Sequence, residues 1–130
     1  MPKSVLILVV DDIPDQLYIL SEILRRAGYE VASSRSAEAA LARARTLKPD
    51  LILTDLAMPV VNGVTLIDHV RSDPALKDTP IVAVTAHVWG AIAQAAKKVG
   101  ANAFISKPFN QSELLNEVEK LLVRTQRKTQ

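Results

Sequence analysis

Five short apolar runs divide the chain, and between them apolar residues recur at helical spacing. Residues 5–10 are continuously apolar and bounded by charge, which predicts a strand buried on both faces, as in a parallel sheet. Asp12-Ile13-Pro14-Asp15 then reads as a helix start, with Asp12 near the N-cap and Pro14 in the first turn. Leu17, Leu20, Ile23, Leu24 and Ala27 keep helical spacing up to Gly28, which ends the helix. Residues 29–33 form a weaker second strand. Ser36 is placed to cap an Ala-rich helix that runs to Lys48, where Pro49-Asp50 breaks it. Residues 51–54 are the third strand, 58–63 a loop by their Pro, Asn and Gly content, and 64–72 a helix stopped by Asp73-Pro74. Residues 81–84 make the fourth strand. A helix over 86–99 ends at Gly100, and its start, Val88-Trp89-Gly90, is poor helix material that predicts a loose first turn. Residues 103–106 are the fifth strand, after which Leu114, Leu115, Val118, Leu121 and Leu122 mark an amphipathic final helix.

Strands alternating with helices through short connections imply an α/β three-layer sandwich. Its parallel sheet is covered on both faces and its crossovers are right-handed. A length of 130 residues, 48% of them apolar, fits one domain over residues 1–123, with residues 124–130 a polar tail or the start of a linker. No DNA-binding or catalytic output domain is expected within it. Lysine and arginine exceed aspartate and glutamate by two, too small an imbalance for a nucleic-acid footprint, even with Arg124, Arg127 and Lys128 in the tail. The chain has no cysteine, which excludes disulfides and thiolate metal sites. The first apolar run is too short for a signal peptide or a membrane span, so a cytoplasmic protein without a membrane partner is expected.

The polar residues that end these runs carry the chemistry. In an open parallel sheet the carboxyl ends of the strands share one edge, and ligands bind in the crevice outside it. Here four runs stop at Asp11-Asp12, at Asp55, at Thr85 and at Lys107-Pro108. Each has a plain reading alone: a helix cap pair, a turn, a strand threonine, a surface lysine. Together they place three carboxylates, a hydroxyl and an ammonium in one cleft. Two like charges about 4 Å apart repel by on the order of 4 kcal/mol at an effective dielectric of about 20. Lys107 offsets one charge, and Mg²⁺, a cation that prefers oxygen ligands beside phosphate, offsets two. Asp55 is the central carboxylate, of a kind able to accept a phosphoryl group. Thr85 and Lys107 would then meet the phosphoryl oxygens.

The motifs Val9-Val10-Asp11-Asp12, Leu53-Thr54-Asp55-Leu56-Ala57-Met58-Pro59, Asn62-Gly63, Val84-Thr85-Ala86 and Lys107-Pro108-Phe109 resemble those of the receiver domains of two-component response regulators, single-domain chemotaxis-type regulators among them. The resemblance covers essentially the whole chain. It implies a flavodoxin-like sheet of order 2-1-3-4-5 with five helices. It implies that Asp55 takes phosphate from a sensor histidine kinase or a phosphotransfer protein. By the same resemblance Asp12, Asp55 and the carbonyl of Ala57 bind Mg²⁺ directly, Asp11 acts through water, Thr85 and Lys107 bind the phosphoryl group, and the Lys107-Pro108 bond is cis. Such a domain is a switch, not a turnover enzyme, apart from Mg²⁺-dependent self-phosphorylation and loss of the phosphate.

In that family an aromatic switch residue lies three positions before the lysine. Here it is Phe104, which lacks the hydroxyl of the more frequent tyrosine and equally fits plain core packing. The responding surface would be the face of the fourth helix, fifth strand and fifth helix, which also offers a route to a homodimer. His87 is expected in solvent at the cleft mouth and His69 on the surface. Trp89 fits either packing under a loop or an exposed partner anchor. Two other arrangements bear on the same residues. The chain fits a module excised from a hybrid kinase or multidomain regulator. An aspartyl-phosphate phosphohydrolase fits less well, because Ala57 stands where such enzymes carry a second acid.

Overall fold

The five apolar runs form five strands because each is short and each meets a neighbour in parallel register. The computed structural model describes residues 4–58 and 62–128, so the centre of the expected loop (59–61) and the last tail residues (129–130) lie outside the described residues. The elements are β1 (Leu6–Val10), α1 (Pro14–Arg26), β2 (Glu30–Ser34), α2 (Ala37–Leu47), β3 (Leu51–Asp55), α3 (Gly63–Ser72), β4 (Ile81–Thr85), α4 (Ala91–Val99), β5 (Ala103–Ser106) and α5 (Gln111–Lys128). All strands run parallel in the order β2-β1-β3-β4-β5, the expected flavodoxin-like topology.

Alternation along the strands divides the core in two. Ile7, Val9, Leu53, Val82, Val84 and Ile105 pack under α1 and α5, against Leu17, Leu20, Leu24, Leu114 and Val118. Leu8, Val10, Ile52, Ile81 and Ala83 face α2, α3 and α4, meeting Ala40, Ala44, Leu66, Ile67, Val70 and Ala96. Because β1, β3 and β4 are buried on both faces, their sequences read as unbroken apolar runs.

Several local expectations shift. β2 starts one residue later than the pattern gave, at Glu30. The N-cap of α1 is Ile13, not Asp12, and it makes no side-chain cap. Asp11 instead closes the turn before the helix, its Oδ1 accepting from the Ile13 N–H at 3.0 Å, while Pro14 occupies the first turn as expected. Ser36 does cap α2, accepting from the Ala39 N–H. α4 begins only at Ala91. Its expected first turn is a separate turn closed by the Gly90 N–H to the His87 carbonyl, which leaves Trp89 87% exposed instead of packed under a loop. α5 stays helical to Lys128, past the last apolar position of its pattern.

At the amino edge of the sheet, Arg71 of α3 ties the structure together. Its guanidinium donates to the carbonyls of Gly100, Lys77 and Thr79 and to the Asn102 side chain. Gly100 caps α4 at φ 119°, a left-handed conformation that favours glycine, and a Cβ there would also run into Arg71.

Candidate functional site

Register brings the site together at the opposite, carboxyl edge. Val10 pairs with Thr54, so Asp11 and Asp55, one residue further along, are neighbours. Asp55 pairs with Val84, and Thr85 with Ser106. The Lys107 N–H then donates to the Thr85 carbonyl at 2.9 Å, which fixes the start of the lysine beside β4. The Lys107-Pro108 bond is cis.

Asp11, Asp12 and Asp55 each offer a carboxylate oxygen, and these lie within 4.8 Å of one another. Lys107 Nζ sits 3.3 Å from Asp55 Oδ2 and 3.9 Å from Asp11 Oδ2. Asp55 Oδ1 accepts from the Ala57 N–H at 3.2 Å, and Thr85 Oγ1 from the His87 N–H at 3.3 Å. Asp11 and Asp55 are buried, and burial pushes the Asp11 carboxyl above its ordinary range. The Ile13 N–H and Lys107 oppose that rise, while the charges of Asp55 and Asp12 add to it.

Two oxygens are left over. Asp11 Oδ2 and Asp12 Oδ1 are buried without a hydrogen-bond partner, although both belong to the acidic cluster. Unpaired buried carboxylate oxygens are costly, and a hard cation satisfies them best. The donor set therefore fits a divalent metal such as Mg²⁺, with Asp11, Asp12 and Asp55 as the side chains able to hold it.

Of the residues singled out from sequence, Asp11, Asp12, Asp55 and Lys107 share one cleft, and Thr85 stands at the adjoining strand end. Ala57 is exposed at the rim, two residues beyond Asp55. Phe104 is apart from the acids. It is half-buried against the α2–α4 side of the core and lines a groove with Trp89, Ala93, Lys97 and Ser106. His69 and His87 are exposed, as expected.

Two residues belong to the site that pattern alone does not reveal. Gln16 of α1 accepts from Lys107 Nζ at 2.8 Å, the shortest contact of that ammonium. Gly63 brings α3 against the end of β3. A Cβ there would strike the Asp55 carbonyl oxygen and approach Leu56 Cα to 2.9 Å. The motif Asn62-Gly63 was visible in sequence, but not its contact with Asp55.

The profile of the response regulator receiver domain family matches residues 7–119. The chain belongs to that family. This receiver domain is 32% identical over 122 residues to the polar-differentiation response regulator DivK of Brucella anthropi, an alignment covering 94% of this chain and 98% of DivK. Its fold matches the chemotaxis protein CheY4 of Vibrio cholerae with a TM-score of 0.87 and 34% identity, over 92% of this chain and 99% of that one. It also matches the receiver domain of the sensor histidine kinase PA1611 from Pseudomonas aeruginosa PAO1, with a TM-score of 0.86 and 27% identity over 92% and 98% of the two chains. That structure has a magnesium ion coordinated in the active site cleft. Receiver domains bind Mg²⁺ in an acidic active site and interact with histidine kinases or phosphotransfer proteins, as signalling switches and not classical enzymes. No helix among the described residues is long and apolar enough to cross a membrane.

Proposed function

We propose that this receiver domain is a phosphorylation-dependent switch with Asp55 as its phosphoacceptor. The observation that carries the reading is the cluster of Asp11, Asp12 and Asp55, the first and last buried and Asp12 partly so, in which two oxygens have no hydrogen-bond partner, with Lys107 Nζ 3.3 Å from Asp55. The phosphodonor is the phosphohistidine of a sensor kinase or phosphotransfer protein. Such donors draw on cytoplasmic ATP, so the reading places the domain in the cytoplasm.

In the transfer, a carboxylate oxygen of Asp55 forms a bond to phosphorus while the bond from phosphorus to the donor imidazole nitrogen breaks. The bonding pair stays on that nitrogen, which takes up a proton. Asp12, Asp55 and the Ala57 carbonyl would hold Mg²⁺ directly, with Asp11 acting through water. When bound, the ion supplies charge neutralisation for the transferring oxygens. Asp55 is held for attack by the Ala57 N–H on one oxygen and by Lys107 on the other. Lys107 follows the incoming charge, and the Thr85 hydroxyl donates its hydrogen to a phosphoryl oxygen.

Phosphorylation replaces a charge of −1 by about −1.5 to −2 and adds acceptor oxygens. As Thr85 moves, Phe104 behind it repacks, and the change reaches the face of α4, β5 and α5. Trp89 and Ile92, both exposed on that side, are the apolar anchors a target or a second copy would use. The test is incubation with acetyl phosphate or phosphoramidate and Mg²⁺, read by intact mass. One phosphoryl group is gained, and none with chelator or in Asp55→Asn. Uptake that persists in Asp55→Asn overturns the assignment.

A further inference from the structure

Lys107 Nζ has three side-chain oxygens within 4 Å, and the closest is neutral. Gln16 Oε1 lies at 2.8 Å, Asp55 Oδ2 at 3.3 Å and Asp11 Oδ2 at 3.9 Å. Gln16 comes from the first turn of α1, Lys107 from the end of β5, and both side chains are partly buried. An ammonium beside two buried carboxylates, with no other acceptor, would collapse onto them. It would then lie over the same oxygens a divalent cation needs, Asp11 Oδ2 among them. A neutral amide oxygen at 2.8 Å competes for the ammonium without adding a fourth negative charge to the cleft. It also fixes the direction of a flexible side chain that otherwise samples many rotamers.

We propose that Gln16 is a positioning residue for phosphoryl transfer: its side-chain carbonyl holds the Lys107 ammonium beside Asp55 and off the metal-binding oxygens. The inference rests on Asp55 being the phosphoacceptor. Gln16 acts only through Lys107 and touches no reacting atom.

The test uses the full chain and a small phosphodonor, so that no partner protein takes part. Gln16→Met keeps the length and helix preference of the side chain and removes the acceptor. At saturating Mg²⁺, phosphoryl uptake from phosphoramidate slows by about 3- to 10-fold, the rate equivalent of the net worth of one ordinary hydrogen bond, since Gln16 acts only through Lys107. The ¹⁵N resonance of the Lys107 ammonium shifts and broadens in Gln16→Met with no donor present, a change that a merely structural role would not produce. In a Lys107→Met background, Gln16→Met causes no further slowing. Three results overturn the inference while Asp55 remains the acceptor: unchanged uptake in Gln16→Met, an unchanged Lys107 resonance, or an undiminished effect in the Lys107→Met background. If the unmodified chain takes up no phosphoryl group, the phosphoacceptor reading falls first, and this inference with it.

Discussion

Lys107 and Asp55 stand 3.3 Å apart although they leave strands that are not neighbours, since β4 runs between β3 and β5. The ammonium reaches across the end of β4 to a carboxylate that is itself buried. It is thus the protein's own counter-charge to the acidic cluster. Lys107→Met is expected to destabilise the metal-free domain by about 1–3 kcal/mol, because it leaves buried carboxylates without their cation. Urea unfolding in the presence of chelator measures it, and an unchanged midpoint would show that the cluster needs no such offset.

The raised Asp11 carboxyl gives a pH dependence of definite sign. Its folded pKa lies above the unfolded value of 3.8, so charging it opposes folding. The penalty is present above the folded pKa and is relieved as the pH falls through it toward 3.8. Asp11→Asn should therefore stabilise the domain in chelator at neutral pH. The gain should shrink on acidification. Saturating Mg²⁺ at about 100 times its Kd stabilises the unmodified chain by about 2.7 kcal/mol, and Asp12→Asn removes most of that. Melting curves against pH and Mg²⁺ check both signs.

Gly63 packs its backbone onto the end of β3, where its N–H donates to the Leu56 carbonyl at 3.1 Å. Both atoms a Cβ would meet first are backbone, so neither can swing aside. Gly63→Ala is expected to cost about 1–3 kcal/mol and to slow phosphoryl uptake, since relief requires moving Asp55 or Leu56. A variant with full stability and full uptake would contradict the close approach.

Arg71 offers the opposite control. It satisfies the Gly100, Lys77 and Thr79 carbonyls and the Asn102 side chain, and Asn102 Oδ1 also accepts from the Ile81 N–H. Removing it strands acceptors at the amino edge of the sheet, away from the acids. Arg71→Ala should cost about 2–4 kcal/mol by thermal or urea unfolding. At a temperature where it remains folded, it should take up phosphoryl groups from phosphoramidate at the unmodified rate.

The acids and the lysine were readable in sequence because each ends an apolar run, and a buried parallel strand leaves a sharp boundary. Residues 5–10 and 51–54 show no alternation because both faces of the sheet are covered. Helix starts read less well. Asp12 looked like a cap, yet Asp11 serves the loop, since capping depends on which carboxylate the turn aims at the N–H groups. Trp89 fitted burial or exposure equally, and only the position of the turn before α4 decided it. Phe104 was visible as an aromatic in the right place, but its half-burial comes from packing.

What the sequence alone determined is the βα alternation and the polar residue type at each strand end, because periodicity and charge boundaries are local properties of a chain. The tertiary structure decided which of those ends meet, how far apart their atoms lie, and that Gln16 and Gly63 join them. The Gln16–Lys107 contact links residues 91 positions apart. A contact of that kind exists only once the sheet order has folded β5 back to α1, and no local pattern encodes it.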